Sequence, residues 1–348
     1  MPAEPALLER ILALRPTSAA SRLGDSPLPL LNPRDLARAL DEAAVPLVCV
    51  PVAAVEALPG LLRAARDEDA VLGLAAPHRP GQRDAADAFF EAVRAAAEEC
   101  QHRRPVFLQA GPIRLTSADP RELQLRTEDV FRSVDAGFSL LSVDASTLVP
   151  EAGVLVAAEL VQAAAERELS LEIAAPVDEK GRAGPEALET CLRLFADRKI
   201  EVRFVRVRSA QFLPEAAGSQ ALRALVEVAG RFGAWLSVED LGASAREPGA
   251  WGPAGARKLD AGGPFTRVVL GALEPELRAS LEARAAATGV PAWDLLAQFG
   301  DPLRDAAEGA RERVEALSYA EALELLERSG ARGSASAAMA FLAERAGY

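Results

Sequence analysis

Residues 105–115, PVFLQAGPIRL, and residues 136–146, AGFSLLSVDAS, are two short apolar runs separated by one amphipathic stretch. In the stretch EDVFRSVDA (128–136), Thr127 is placed to cap a helix and Glu128 and Asp129 fall in its first turn. Gly137 can take the left-handed conformation that ends it. Strand, helix and strand in that order imply parallel strands joined by a helical crossover.

Working outward, the alternation continues almost from end to end. The remaining apolar runs are VPLVCVPV (45–52), AVLGLAAP (70–77), LSLEIAAP (169–176), VRFVRVRS (202–209), AWLSVED (234–240) and TRVVLGA (266–272), which makes eight in all. Helix punctuation falls between them: Asn32-Pro33 reads as a cap followed by proline at the first helical position, and Ser219 and Gly233 bracket SQALRALVEVAGRFG. Eight strands each followed by a helix close most naturally into a (β/α)8 TIM barrel; an open doubly wound sheet is the competitor. The expected organisation is a leading segment and helix over 1–44, the barrel over 45–290 and a helical extension over 291–348. In that extension Ser318 and Glu321 have capping-box spacing. The final stretch SAAMAFLAERAGY, with Met339, Phe341 and Leu342, packs on the barrel or forms a subunit interface.

Composition narrows the function. The chain has 348 residues, of which 50 % are hydrophobic, enough for a sizeable core. A net charge of −12 with no basic face disfavours nucleic acid as a partner. Cys49, Cys100 and Cys191 are far apart and form no CxxC pair, which points to a reducing cytoplasm. Neither a leader nor an apolar run of membrane-spanning length is present, so a soluble cytoplasmic protein, without a membrane partner, is expected.

The helix ending in Ala136-Gly137-Phe138-Ser139 and the strand ending in Asp144-Ala145-Ser146, with PVFLQAGPIRL before them, resemble the third and fourth strands of class II ketose-bisphosphate aldolases. The likeness is nearest to the non-catalytic accessory subunit of the tagatose-bisphosphate aldolases. VEALPGLLRAARDEDAVLGLAAP (55–77) sits where that family has a helix leading into its second strand, and LEIAAPVDEKGRAGPEALE (171–189) resembles its fifth strand, with Glu172 in place of the strand-end glutamate. The resemblance spans roughly residues 45–190 and implies an aldolase-type barrel.

The departures bear on chemistry. The family's zinc is held by histidines on separate strands and polarises the ketose carbonyl. Gln109-Ala110-Gly111-Pro112 stands where the third strand would supply His-x-Asp-His, and Arg208-Ser209-Ala210-Gln211 where His-Gly would follow the sixth. Glu239-Asp240-Leu241-Gly242-Ala243-Ser244 replaces the seventh strand's His-Gly-x-Ser-Gly, and Leu270-Gly271-Ala272-Leu273 a phosphate-binding Asn-x-x-Thr. The only histidines, His78 and His102, fall near opposite barrel ends and read as solvated loop residues, so zinc is not expected. A Schiff-base enzyme needs a desolvated lysine at a strand's C-terminal end. Lys199 precedes the sixth strand, Lys258 falls in the seventh crossover, and Lys180 lies in the loop after the fifth strand, solvent-bound.

Active sites of this fold lie at the strand C-termini. Reading along, these offer Gln109, Arg114, Asp144, Ser146, Thr147, Glu172, Arg206, Arg208, Gln211, Glu239 and Asp240. Asp144, Glu172 and Glu239 are the candidate catalytic groups; Gln109, Arg114, Ser146, Arg208 and Gln211 are the candidate substrate contacts. Asp144 and Glu172 end apolar strands and are the best candidates for holding magnesium through oxygens; the plainer reading is a salt-bridge network with Arg206 or Arg208. Because RFVRVR alternates, Arg206 and Arg208 should share a face with Phe204, Arg208 being nearer the strand end. The loop GASAREPGAWGPAG (242–255) is a weak phosphate cradle, and Trp251 in it is a lid or simple packing.

Two functions follow as expectations. The first is a zinc-less barrel serving as a non-catalytic accessory, scaffold or regulatory protein, with a protein partner or copies of itself. The second is a lyase or isomerase acting on a small phosphorylated or carboxylated sugar through carboxylates and a divalent metal.

Overall fold

The computed structural model describes residues 4–79, 82–146, 148, 150–165, 167, 169–209, 220–240, 248–288, 292–297, 302–303 and 308–346. Strands covered on both faces read as unbroken apolar runs, and the runs of the sequence become β1 (Leu47–Pro51), β2 (Leu72–Ala76), β3 (Val106–Arg114), β4 (Leu140–Asp144), β5 (Ser170–Ala174), β6 (Phe204–Arg208) and β7 (Trp235–Asp240). The eighth strand is not TRVVLGA. β8 is Ala256–Ala261, and the expected strand lies in a helix, Gly263–Ala272. All neighbours pair in parallel and in sequence order, and β8 returns to β1 with Cys49 opposite Asp260, so the barrel is closed.

Three helices precede the barrel: α1 (Glu4–Leu12), α2 (Thr17–Leu23) and α3 (Pro33–Ala39). Asn32 caps α3 as expected, its side chain accepting from the Arg34 amide. Crossover helices α4 (Leu58–Asp67), α5 (Ala85–Glu99), α6 (Pro120–Asp135), α7 (Pro150–Ala165), α8 (Pro185–Asp197) and α9 (Gln220–Arg231) follow β1 to β6. α10 (Gly263–Ala272), α11 (Pro275–Thr288), α12 (Ala292–Ala297), α13 (Glu308–Arg328) and α14 (Ser334–Ala346) complete the chain. Two helix starts differ from expectation. α6 begins at Asp119, whose carboxylate accepts from the amides of Arg121 and Glu122, and Thr127 sits inside the helix bonding back to the Leu123 carbonyl. α13 runs unbroken through Ser318, which is buried rather than capping. Ser219 lies outside the described residues.

Strand alternation sorts the core into two layers. Val48, Leu72, Leu108, Val143, Ile173, Val205, Val207 and Leu259 face the helices. Leu47, Val71, Phe107, Leu140 and Phe204 face inward at the N-terminal end of the barrel, where they meet Ile11 of α1, Leu36 of α3 and Met339 and Leu342 of α14. α14 therefore closes the bottom of the barrel: Met339 and Leu342 are buried within the chain, and Phe341 is half-buried. Gly73 admits the Phe107 ring, since a Cβ there would stand 2.1 Å from Phe107 Cζ.

Candidate functional site

Above that apolar floor the inward-facing positions become polar. The alternation of β6 puts Phe204, Arg206 and Arg208 on one face, as the sequence predicts, and the barrel turns that face toward the axis and Val205 and Val207 toward the helices. The same geometry brings Ser142 and Asp144 from β4, Glu172 from β5, Ser237 and Glu239 from β7, and Lys258 and Asp260 from β8 into one interior cluster.

Lys258 is the centre of the lower tier. Its Nζ lies 2.8 Å from Glu172 Oε1, 2.7 and 2.6 Å from the two Asp260 oxygens and 3.4 Å from Ser237 Oγ. Ser142 donates to Glu172 Oε2 at 2.6 Å, and Ser237 donates to Asp260 Oδ2 at 3.2 Å. Lys258 and Glu172 are both fully buried. Cys49 closes this tier, donating to Gln109 Oε1 at 3.6 Å, and burial with the nearby Asp260 charge pushes its thiol well above the ordinary range.

Arg206 is the centre of the upper tier, buried and 2.9 Å from Asp144 Oδ2, with Glu239 at 3.8 Å. Arg208 is nearer the solvent and reaches both Glu239 at 3.3 Å and Asp144 at 3.7 Å; Arg114 approaches Asp144 at 3.8 Å. The backbone amide and Oγ of Ser146 donate to Asp144 Oδ1 at 3.1 and 2.6 Å. Gln211 and Thr147 lie outside the described residues, as does the Asp240 side chain. The predicted candidates Asp144, Glu172, Glu239, Gln109, Arg114, Ser146 and Arg208 thus converge on one barrel interior. Of the two arginines of β6, Arg206 rather than Arg208 is the buried one, held between Asp144 and Glu239.

Titration follows from this geometry. Burial alone would lower the pKa of Lys258, but Asp260 and Glu172 outweigh it, and the ammonium is held above the ordinary lysine value. Burial raises Glu172, yet Lys258 and then Arg206 pull it below the ordinary glutamate value. Asp260 stays above its ordinary value because burial and the Glu172 charge exceed what Lys258 gives back. Asp144 is likewise pulled down, against burial, by Arg206 and the Ser146 bonds. The interior is therefore a chain of alternating charges in which Asp144 and Glu172 are held down and Asp260 is held up.

Lys258 and Asp260 were missed by sequence reading. ARKLDA carries a single large apolar residue, so the neighbouring TRVVLGA outscored it as an apolar run. The available signal was the two-residue period of Lys258-Leu259-Asp260-Ala261, which puts both charges on one face.

The donor set does not fit the family's zinc. No histidine faces the axis: His78 Nε2 pairs with Asp129 on α6 at 2.9 Å, and His102 Nδ1 lies 3.0 Å from the Leu62 carbonyl. Neither is a solvated loop residue; His102 is fully buried, and burial lowers its pKa to about 4. A divalent cation between Asp144 and Glu172 would have to share its space with the Lys258 ammonium and the Arg206 guanidinium. Among the described residues, no three His, Cys, Asp or Glu side chains are grouped to hold a metal ion. Lys180 is exposed, and Trp251 is fully buried in the outer layer, so it packs rather than covers the mouth.

No family model matches the chain, and no curated protein matches it in sequence. Solved structures do match in fold. One is a putative fructose-1,6-biphosphate aldolase from Coccidioides immitis, with a TM-score of 0.56 and 16 % identity over 86 % of this chain and 96 % of that one. A second is the YdjI aldolase from Escherichia coli K12, at 0.59 and 13 % over 88 % of this chain and 99 % of that one. A third is the fructose-bisphosphate aldolase of Campylobacter jejuni, at 0.62 and 13 % over 88 % and 96 %. At such identities the likeness is one of fold: the chain is a closed TIM barrel of the kind these aldolases have.

Proposed function

We propose that this barrel is a non-catalytic accessory or scaffold protein, soluble and cytoplasmic, that requires no metal. One observation carries the reading: Lys258 and Arg206 occupy the barrel interior as cations paired to Glu172, Asp260, Asp144 and Glu239. Class II aldol chemistry needs a Lewis acid there, and the positions hold no imidazole. Schiff-base chemistry needs an unprotonated amine, because only the lone pair attacks a carbonyl. Lys258 fails that requirement, since two carboxylates within 2.8 Å keep it an ammonium. Among the described residues no helix is long and apolar enough to cross a membrane.

A second reading, a lyase or isomerase on a small phosphorylated or carboxylated sugar, is favoured by the arrangement of the mouth. There the partly exposed Arg114 and Arg208 flank Asp144 and Glu239, and arginine suits phosphate or carboxylate.

The two are separated by incubating the protein with a ketose bisphosphate, with and without added zinc or magnesium, and quenching with borohydride. The non-catalytic reading expects neither cleavage nor a reduced adduct on Lys258. Turnover that Glu172→Gln or Asp144→Asn abolishes would establish the second reading. An adduct on Lys258 would overturn both.

A further inference from the structure

We propose that the N-terminal face of the barrel, opposite the mouth, binds a small phosphomonoester. A cavity of about 550 Å³ opens there, between the turn after α1, the start of α3 and the segments leading into β5 and β6. It is lined by Arg15, Arg34, Lys199 and Arg203, against the carboxylates of Asp35 and Glu201. Arg167 also lines it, but its sequence neighbours Glu166 and Glu168 lie outside the described residues, and it is left out of the balance.

Among the described residues counted, the local charge is not self-compensated. Arg15 spends its donors on the carbonyls of Leu28, Gly24 and Ser26, which satisfy its N–H groups without cancelling its charge. Asp35 serves Arg34 at 3.2 Å, and Glu201, itself largely exposed, serves Arg203. Lys199 has no ion pair among the described residues. Burial lowers the pKa of Arg203, with Arg34 and Arg38 pushing the same way against the pull of Glu201 and Asp35. Among the described lining residues, with Arg167 set aside, two carboxylates against four cations leave an excess of two positive charges in a chain whose net charge is −12. A phosphomonoester carries about −1.5 to −2 at neutral pH and offers three oxygens to guanidinium forks. The cavity volume leaves room for an organic body beyond the phosphate. A monocarboxylate would leave one charge uncompensated.

The test is calorimetric titration of the intact protein with glycerol 3-phosphate at low salt, with glycerol and with chloride at matched ionic strength as controls. Saturable one-to-one binding is expected. An Arg34→Gln/Lys199→Gln variant should weaken it about tenfold or more, whereas Arg208→Gln at the mouth should leave it unchanged. Both replaced side chains are substantially exposed, and circular dichroism checks that the fold persists. The absence of saturable heat, an equal response to chloride, or weakening by Arg208→Gln instead would overturn the proposal.

Discussion

Replacing Lys258 by methionine probes the barrel interior most severely, because it keeps the side chain's bulk and removes the cation of the lower tier. Glu172 and Asp260 would then be fully buried with only Ser142, Ser237 and the more distant Arg206 to answer them. Removing one partner of a buried ion pair costs about 3–5 kcal/mol, a large part of the roughly 5–15 kcal/mol by which a domain is stable. The loss should depend on pH in a definite direction. Without Lys258, burial leaves both carboxylates with folded pKa values above their unfolded ones, so the folded state takes up protons more readily. The penalty is then full near neutral pH and shrinks as pH falls toward the ordinary carboxylate range. Urea denaturation of both proteins at about pH 7.5 and about pH 5 measures this. The triple variant Lys258→Met/Glu172→Gln/Asp260→Asn should recover most of the loss, since replacing a buried ionic group whole is often nearly neutral. A loss below about 1 kcal/mol, the size of an exposed pair, or one equal at both pH values would refute the assignment of Lys258 as the charge that holds this tier.

Other expectations follow from single residues. Asp144→Asn should destabilise the fold by about 2–3 kcal/mol, since Arg206 would keep only Glu239 at 3.8 Å as a charged partner. Because Asp144 titrates below its ordinary value, the difference from wild type should narrow as pH falls through that depressed value. His102 is neutral in the fold down to about pH 4, so wild type should lose stability between its ordinary value of 6.5 and about 4 as the unfolded chain protonates first. His102→Gln should flatten that slope, which corresponds to at most about 3 kcal/mol, in melts recorded across that range. Gly73→Ala should cost about 1–3 kcal/mol by overpacking against the Phe107 ring, and adding Phe107→Leu should relieve it in the same melting assay.

Seven of the eight strands were legible because strands buried on both faces write themselves as apolar runs, and β1 to β7 do so. β8 was illegible by that criterion, since three of its six residues, Arg257, Lys258 and Asp260, are charged and Leu259 is its one large apolar residue. With β8 misplaced, Lys258 falls in a crossover, and Arg206 and Arg208 are left as the cations that could answer the interior carboxylates. Pairing across the barrel is a long-range fact, Lys258 meeting Glu172 across 86 positions of sequence, and no local pattern announces it. α6 began earlier than expected because Asp119-Pro120 is the stronger start signal than Thr127, with a capping carboxylate and proline in the first turn. The alternation of β6, by contrast, was a two-residue pattern complete within its own strand, and it put Arg206 and Arg208 on one face with Phe204 from the sequence alone, the face that the barrel turns inward.

The central claim, that side-chain cations hold the interior carboxylates, is tested most directly by calorimetric titration of the chelator-treated protein with zinc and magnesium. The account expects no saturable binding of either ion. A one-equivalent site that disappears in Asp144→Ala and Glu172→Ala would contradict it.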